Sequence, residues 1–208
     1  QDRKHIIMKV ERTGKIYGNF EFDKVWELTS TLHAGQRYGG YQEGEFLNFI
    51  DHIEKVTFEV MTTTMFEHHL NANLAVKCAM LHDALEDTRI TYKEIEERFG
   101  KPVADGVLAL TKDSNIRNRK HKMIDTLERI KKQPIEIWVV KLADRLANLS
   151  FPPFYWDNKK KKEYLEESEM IYNYLHEGSP FLAQKLYNKM IEYQRFIKKF
   201  PKESRLIS

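Results

Sequence analysis

From Asp23 onward, apolar residues recur at the spacing of helix faces. Such a period sets one stripe of each segment against a core, as amphipathic helices do. The predicted helices begin with 23–34, which Gly35 and the Gly39–Gly40 pair would end, followed by 45–65 and 70–87. In "TYKEIEERFG", Thr91 and Glu94 carry the signature of a capping box, and Gly100 with Pro102 marks the stop. Helices near 102–110, 118–132 and 135–149 come next. Two prolines in "FPPFYWDN", 151–158, break the pattern, and helices near 159–176 and 180–198 close the chain. Phe181, Leu182, Leu186, Met190, Tyr193 and Ile197 stripe the last of these. Residues 6–22 differ: they alternate weakly about Thr13-Gly14 and read as a short hairpin. The expected class is all-α, a helical bundle over 23–208 as one domain, with 1–22 as an N-terminal extension.

A chain of 208 residues can bury roughly 70% of its unfolded surface, enough for a core without covalent staples. The charge of +3 is too small to imply a nucleic-acid partner, although a local basic patch could serve a small polyanion. One cysteine, Cys78, cannot form an intrachain disulfide and fits a reducing compartment. No apolar run approaches the ~18 residues of a membrane helix, and no signal-like segment opens the chain. A cytoplasmic protein with no membrane partner is expected. Oligomeric state is not legible in the sequence.

The stretch "AMLHDALEDT", 79–88, gathers His82, Asp83, Glu86 and Asp87 in an apolar setting. On one continuous helix at about 100° per residue, Leu70, Leu74, Cys78, Leu81 and Leu85 share the core arc. His82, Asp83 and Glu86 then occupy the adjoining arc beside Ala75 and Ala79, with Asp87 just beyond. The bland alternative is a helix end with solvated acids. Against it, acids in a last turn oppose the helix dipole, and a divalent cation would relieve their repulsion. Further ligands could come from Asp144, on the polar side of 135–149 with Lys141 one turn back and Asn148 one turn on. His52 in "FIDHIEKV" is a second source, though a lone histidine beside Phe49, Ile53 and Val56 is more often structural.

Taken in order, "LHAGQRYGG", "FIDH", "LHDALEDT" and "KLADRLANL" resemble the HD-domain phosphohydrolases, within them the hydrolase domain of the RelA/SpoT group and the small stand-alone alarmone hydrolases. The resemblance runs from about Asp23 to Asn148 and implies an HD-domain bundle. It implies one divalent metal, usually Mn²⁺, on His52, His82, Asp83 and Asp144. Two imidazoles and two carboxylates would also accept Zn²⁺ or Fe²⁺. It implies that Glu86 and Asp87 handle the attacking water, and that Arg37 and Asn148 lie near a nucleotide. His33 is not carried over as a ligand and is read as a hydrogen-bonding residue at a helix end. Two departures stand out: Tyr38-Gly39 replaces a basic pair after the Gln, and Asn48-Phe49 and His52-Ile53 replace Pro-Tyr and His-Pro around the first histidine. The implied activity is removal of the 3′-pyrophosphate from guanosine alarmones, (p)ppGpp. Alternatives are adenosine alarmones, (p)ppApp, or another nucleotide phosphomonoester, and more remotely a non-catalytic nucleotide-binding module.

The basic run "TKDSNIRNRKHK", 111–122, reads either as a solvated face or as a flap gripping phosphates through Lys112, Arg117 and Lys120. "KKKK" at 159–162 reads as a solvated helix start, and His68 and His69 as structural. "FPPFYW" is either a packing turn or an aromatic wall for a purine.

Overall fold

The computed structural model describes residues 22–197; the hairpin expected at 6–22 lies outside them except for Phe22, which opens the first helix. Helix α1 spans Phe22–Leu32, and strands β1 (Arg37–Gly39) and β2 (Phe46–Asn48) pair antiparallel, Tyr38 opposite Leu47. Helices α2 (Phe49–Phe66), α3 (Ala72–Leu81) and the one-turn α4 (Ala84–Asp87) follow. After them come α5 (Tyr92–Phe99), α6 (Lys101–Leu110), α7 (Arg119–Lys131), α8 (Ile135–Asn148), α9 (Asn158–Leu175) and α10 (Pro180–Tyr193). The helix expected over 180–198 ends at Tyr193 and gives way to a 3₁₀ turn at Gln194–Phe196, and residue 198 lies outside the described residues.

Capping fixes the starts. The Thr91 hydroxyl accepts from Glu94 N–H and the Glu94 carboxylate accepts from Thr91 N–H, so the predicted box is formed. Asn71, Asn118, Asp157 and Ser179 each accept an N–H from the first turn of α3, α7, α9 and α10. Gly100 joins α5 to α6 at φ +88°, a conformation that costs a residue with a Cβ.

Helix α8 is the central element. Ile137, Val139, Val140, Leu142 and Ala143 are fully buried, and α2, α3, α9 and α10 pack around it. Buried Glu136 accepts the Asn71 backbone N–H at 2.6 Å, which ties the start of α8 to the start of α3. On the other side of the core, the Thr29 hydroxyl of α1 donates to the Met80 carbonyl.

Two sequence expectations are corrected. The helix predicted over 45–65 begins at Phe49, because Phe46–Asn48 is drawn into pairing with Arg37–Gly39. The helix predicted over 70–87 starts at Ala72 and stops at Leu81. His82 and Asp83 form a turn, Asp83 sitting at φ −101°, ψ 0°, before the one-turn α4 begins at Ala84. Glu86 and Asp87 therefore do not crowd the end of a long helix, and the dipole argument for their strangeness does not hold. The cluster has another origin.

Candidate metal centre and active cavity

The turn after α3 explains the grouping. On a continuous helix, neighbours such as His82 and Asp83 point about 100° apart. Breaking the helix between them lets both side chains converge, and His82 Nε2 lies 3.0 Å from Asp83 Oδ2. The His82 ring is oriented from behind by the Ala79 carbonyl, 2.8 Å from Nδ1, which leaves Nε2 for the site. The first turn of α2 supplies His52, whose Nε2 is 3.2 Å from that of His82 and 3.7 Å from Asp83 Oδ2. Asp144 of α8 brings Oδ1 to 3.5 Å from His52 Nε2 and 3.9 Å from His82 Nε2. Lys141 Nζ donates to Asp144 Oδ2 at 2.8 Å and Asn148 Nδ2 to Oδ1 at 2.6 Å, one turn back and one turn on.

The donor set fits a divalent ion. Bonds of about 2.1 Å to a common centre hold adjacent ligand atoms roughly 3–3.5 Å apart, close to the spacing of His52, His82 and Asp83, which form a potential metal-holding group. Electrostatics point the same way. Burial alone would lower the His82 pKa, yet the Asp83 charge and hydrogen bond, with Asp144, hold it up at about 9. Burial would raise Asp83, but His82 and then His52 bring it down to about 2. Asp144 is likewise held well below the carboxylate range against burial, by Lys141 first and then the two histidines. The carboxylates of Asp83 and Asp144 thus stay ionised beside His82, a charge arrangement suited to a cation.

Above this floor lies a cavity of about 440 Å³. Asp83, Glu86, Asp87, Asp144 and Asn148 line it, together with His52. Glu86 accepts from Lys112 Nζ at 2.9 Å and from Lys112 N–H at 3.2 Å. Burial would depress Lys112, but Glu86 outweighs it and keeps the ammonium's pKa raised. Asp87 has a raised pKa, first from burial, then from the charges of Asp83 and Glu86. The Asp87 carbonyl accepts from Gln36 Nε2 at 2.9 Å, and Gln36 Oε1 is 2.7 Å from His33 Nδ1. His33 is thus the helix-end hydrogen-bonding residue that the sequence suggested.

The basic run divides. Lys112 lines the cavity; Arg117 and Lys120 are exposed and outside its lining, whereas Arg119 and Lys122 are inside it. Helical spacing is the cause, since Arg119, Lys122 and Met123 share the inward face of α7 and Lys120 is turned about 100° away. Arg37 is exposed on β1 and also lies outside the lining. The prolyl segment supplies Phe151, Pro153, Tyr155 and Trp156, and Tyr38 and Phe49 add two rings. Phe154 N–H donates to the Gly40 carbonyl, docking this segment on the end of β1.

Sequence reasoning missed Lys55, Arg145, Tyr164 and Glu167, which also line the cavity. Arg119 and Arg145 both pair with Glu167, and the Arg145 guanidinium lies 3.9 Å from the centre of the Tyr164 ring. Lys55 carried a usable signal, since it sits three residues after His52 on the same helix. Glu167 carried none, for nothing in its local sequence joins α9 to α7 and α8.

Comparison with known proteins follows the same lines. The sequence pattern of the HD domain family matches residues 27–178. Guanosine-3′,5′-bis(diphosphate) 3′-pyrophosphohydrolase MESH1 of Drosophila melanogaster is 24% identical over 174 residues, 82% of this chain and 93% of its own. The guanosine-3′,5′-bis(diphosphate) 3′-pyrophosphohydrolase of Aquifex aeolicus is 32% identical over 138 residues, 61% of this chain but only 19% of that longer protein. A solved structure described as a metazoan ortholog of SpoT superposes with a TM-score of 0.71 at 23% identity, covering 88% of this chain and 99% of its own, and shares its fold. Among the described residues no helix is long and apolar enough to cross a membrane. With the family pattern spanning most of the bundle and the His–Asp doublet at its centre, this chain belongs to the HD domain family, whose members imply a divalent metal at that doublet.

Proposed function

We propose that the chain is a metal-dependent pyrophosphohydrolase that removes the 3′-pyrophosphate from (p)ppGpp, releasing GDP or GTP and inorganic pyrophosphate. The observation that carries this reading is the convergence of His52, His82, Asp83 and Asp144 at the floor of a cavity rimmed by Lys55, Lys112, Arg119 and Lys122. Relatives named for this hydrolysis support it.

In this reading His52, His82, Asp83 and Asp144 hold one divalent ion, Mn²⁺ by the family resemblance, with Zn²⁺ or Fe²⁺ also suited to the donors. Such an ion supplies Lewis acidity at a phosphoryl oxygen and lowers the pKa of water. Lys141 and Asn148 keep the Asp144 carboxylate oriented. Glu86 and Asp87 receive the proton of the attacking water and return it to the departing oxygen. Asp87, with its raised pKa, is better matched to accept a proton near neutrality than an ordinary aspartate. The Lys112 ammonium, shared with Glu86, and Lys122 meet the phosphate charge. Phe151, Tyr155 and Trp156 give the base an apolar wall.

That wall stacks on any purine, which favours (p)ppApp as a second reading. Parallel hydrolysis assays on guanosine and adenosine alarmones, with and without Mn²⁺, test both. Metal-dependent release of pyrophosphate from the guanosine compounds is expected. Turnover of neither would overturn the reading, and a preference for adenosine would replace the base.

A further inference from the structure

Beyond Lys55 the active cavity meets a second groove of about 410 Å³, and Lys55, Ala147 and Ser150 line both. The other wall belongs to α10, where Lys185, Asn188 and Lys189 share one face at helical spacing. Helix α10 begins at Pro180, past residue 178 where the family match ends. One wall of the groove thus comes from a part of the chain outside the matched HD domain, and the other from α2 and the end of α8 within it.

Three lysines face two carboxylates there. Lys185 pairs with Glu59, and Lys189 Nζ lies 2.8 Å from Glu192. Among the described residues Lys55 has no carboxylate partner, and its ammonium lies 5.9 Å from the centre of the Phe151 ring. Partly exposed pairs of this kind contribute modestly. A phosphate offers more charge and more acceptor oxygens than a carboxylate, so it can take these lysines over.

We propose that this groove is a second phosphate subsite, holding the phosphate chain that is not cleaved. The proposal rests on the reading of the chain as a hydrolase of nucleotides phosphorylated at both the 3′ and 5′ positions. With one chain at the His–Asp cluster, the other leaves the ribose elsewhere and needs its own cations. Most cations of the main cavity are engaged: Lys112 by Glu86, Lys141 by Asp144, Arg119 and Arg145 by Glu167. Lys55, one turn from His52, stands at the junction and leads outward to Lys185 and Lys189.

The test has two arms on the full chain. In the first, kcat/KM is measured for 3′-pyrophosphorylated nucleotides with and without 5′-phosphates. Replacing two charged hydrogen-bond donors, Lys185→Ala with Lys189→Ala, should cut the preference for the doubly phosphorylated compound by about tenfold or more. A preserved preference, or one abolished instead by Lys122→Ala alone, would overturn the proposal and move the second chain to α7. In the second arm, inorganic pyrophosphate is titrated calorimetrically into chelator-treated protein, where turnover plays no part. Affinity should fall by a similar factor in the α10 double variant, and equal affinity would sink the subsite. If no nucleotide is hydrolysed, the functional reading fails while the calorimetric arm still decides the groove.

Discussion

The Lys112 ammonium stands 2.9 Å from one Glu86 carboxylate oxygen, and the backbone N–H of Lys112 donates to the other at 3.2 Å. One residue just after α6 therefore holds a candidate catalytic carboxylate from two directions. Glu86→Gln keeps size and hydrogen bonding and loses the base. We expect near-normal metal and nucleotide binding, with kcat lower by about two orders of magnitude or more. Calorimetric binding beside steady-state turnover checks this. A variant with near-wild-type kcat would leave Asp87 as the base, and Asp87→Asn should then carry the whole loss.

The same neighbours set a pH dependence. Burial first, then Asp83 and Glu86, raise the Asp87 pKa in the metal-free protein, and activity that needs ionised Asp87 should fall off as pH drops through it, a divalent ion on Asp83 moving that point down. Glu86→Gln removes one raising charge. The acid limb of kcat/KM should then move to lower pH, and a limb that stays or rises would exclude Asp87 as the titrating group.

Asp144→Ala should strip the site of metal. It removes one converging oxygen and leaves buried Lys141 without its partner. Metal content of the purified variant is the readout, and undiminished content would take Asp144 out of the ligand set.

The two faces of the basic run should behave differently. Lys112→Ala and Lys122→Ala should raise KM for tetraphosphate substrates more than Arg117→Ala or Lys120→Ala, whose side chains are outside the cavity lining. Equal effects across the four would mean that the whole segment closes over the substrate.

Glu167 links α7 to α8 from α9. Burial would raise its pKa, but the Arg119 hydrogen bond and the Arg145 and Arg119 charges lower it below the ordinary 4.5. A depressed carboxylate contributes stability that is present above the unfolded pKa and lost as pH falls through the folded one. Glu167→Ala leaves Arg145, only 4% exposed, without that carboxylate. We expect a cost of about 1–3 kcal/mol near neutrality, shrinking once pH drops below about 4.5. Thermal unfolding of both proteins from pH 7 to 3 checks the sign, and a cost independent of pH would show packing alone.

Much of the site was legible because its signals are local. His82, Asp83, Glu86 and Asp87 are neighbours in sequence, and Lys141, Asp144 and Asn148 are spaced by helical turns, so their grouping needs no tertiary knowledge. The break between Leu81 and Ala84 was not legible. Apolar spacing continues through it to Leu85, and only Asp83 at ψ 0° departs from the helix. The strand Phe46–Asn48 was hidden for a related reason: three residues are too few to show alternation, and their partner lies across a loop. The helix expected near 118–132 sets Arg119 and Lys122 apart from Lys120, but which face meets the cavity depends on how α7 packs and was not legible.

Gly39 presses against Tyr155 so closely that an added Cβ would fall 2.4 Å from the ring, while the Gly40 carbonyl binds Phe154 N–H. The aromatic side of the cavity is thus two surface segments leaning on each other, whereas its floor is anchored in core helices. Such a division separates what selection can alter cheaply from what it cannot. Exchanging residues 37–48 together with 151–156 leaves the buried faces of α3 and α8 intact, so a lineage could trade one nucleotide for another without passing through an unfolded ancestor. The departures at Tyr38-Gly39 and Asn48-Phe49 fall in that exchangeable part or at its border, the one at Ile53 lies in buried α2, and the four candidate ligands stand outside the exchangeable part.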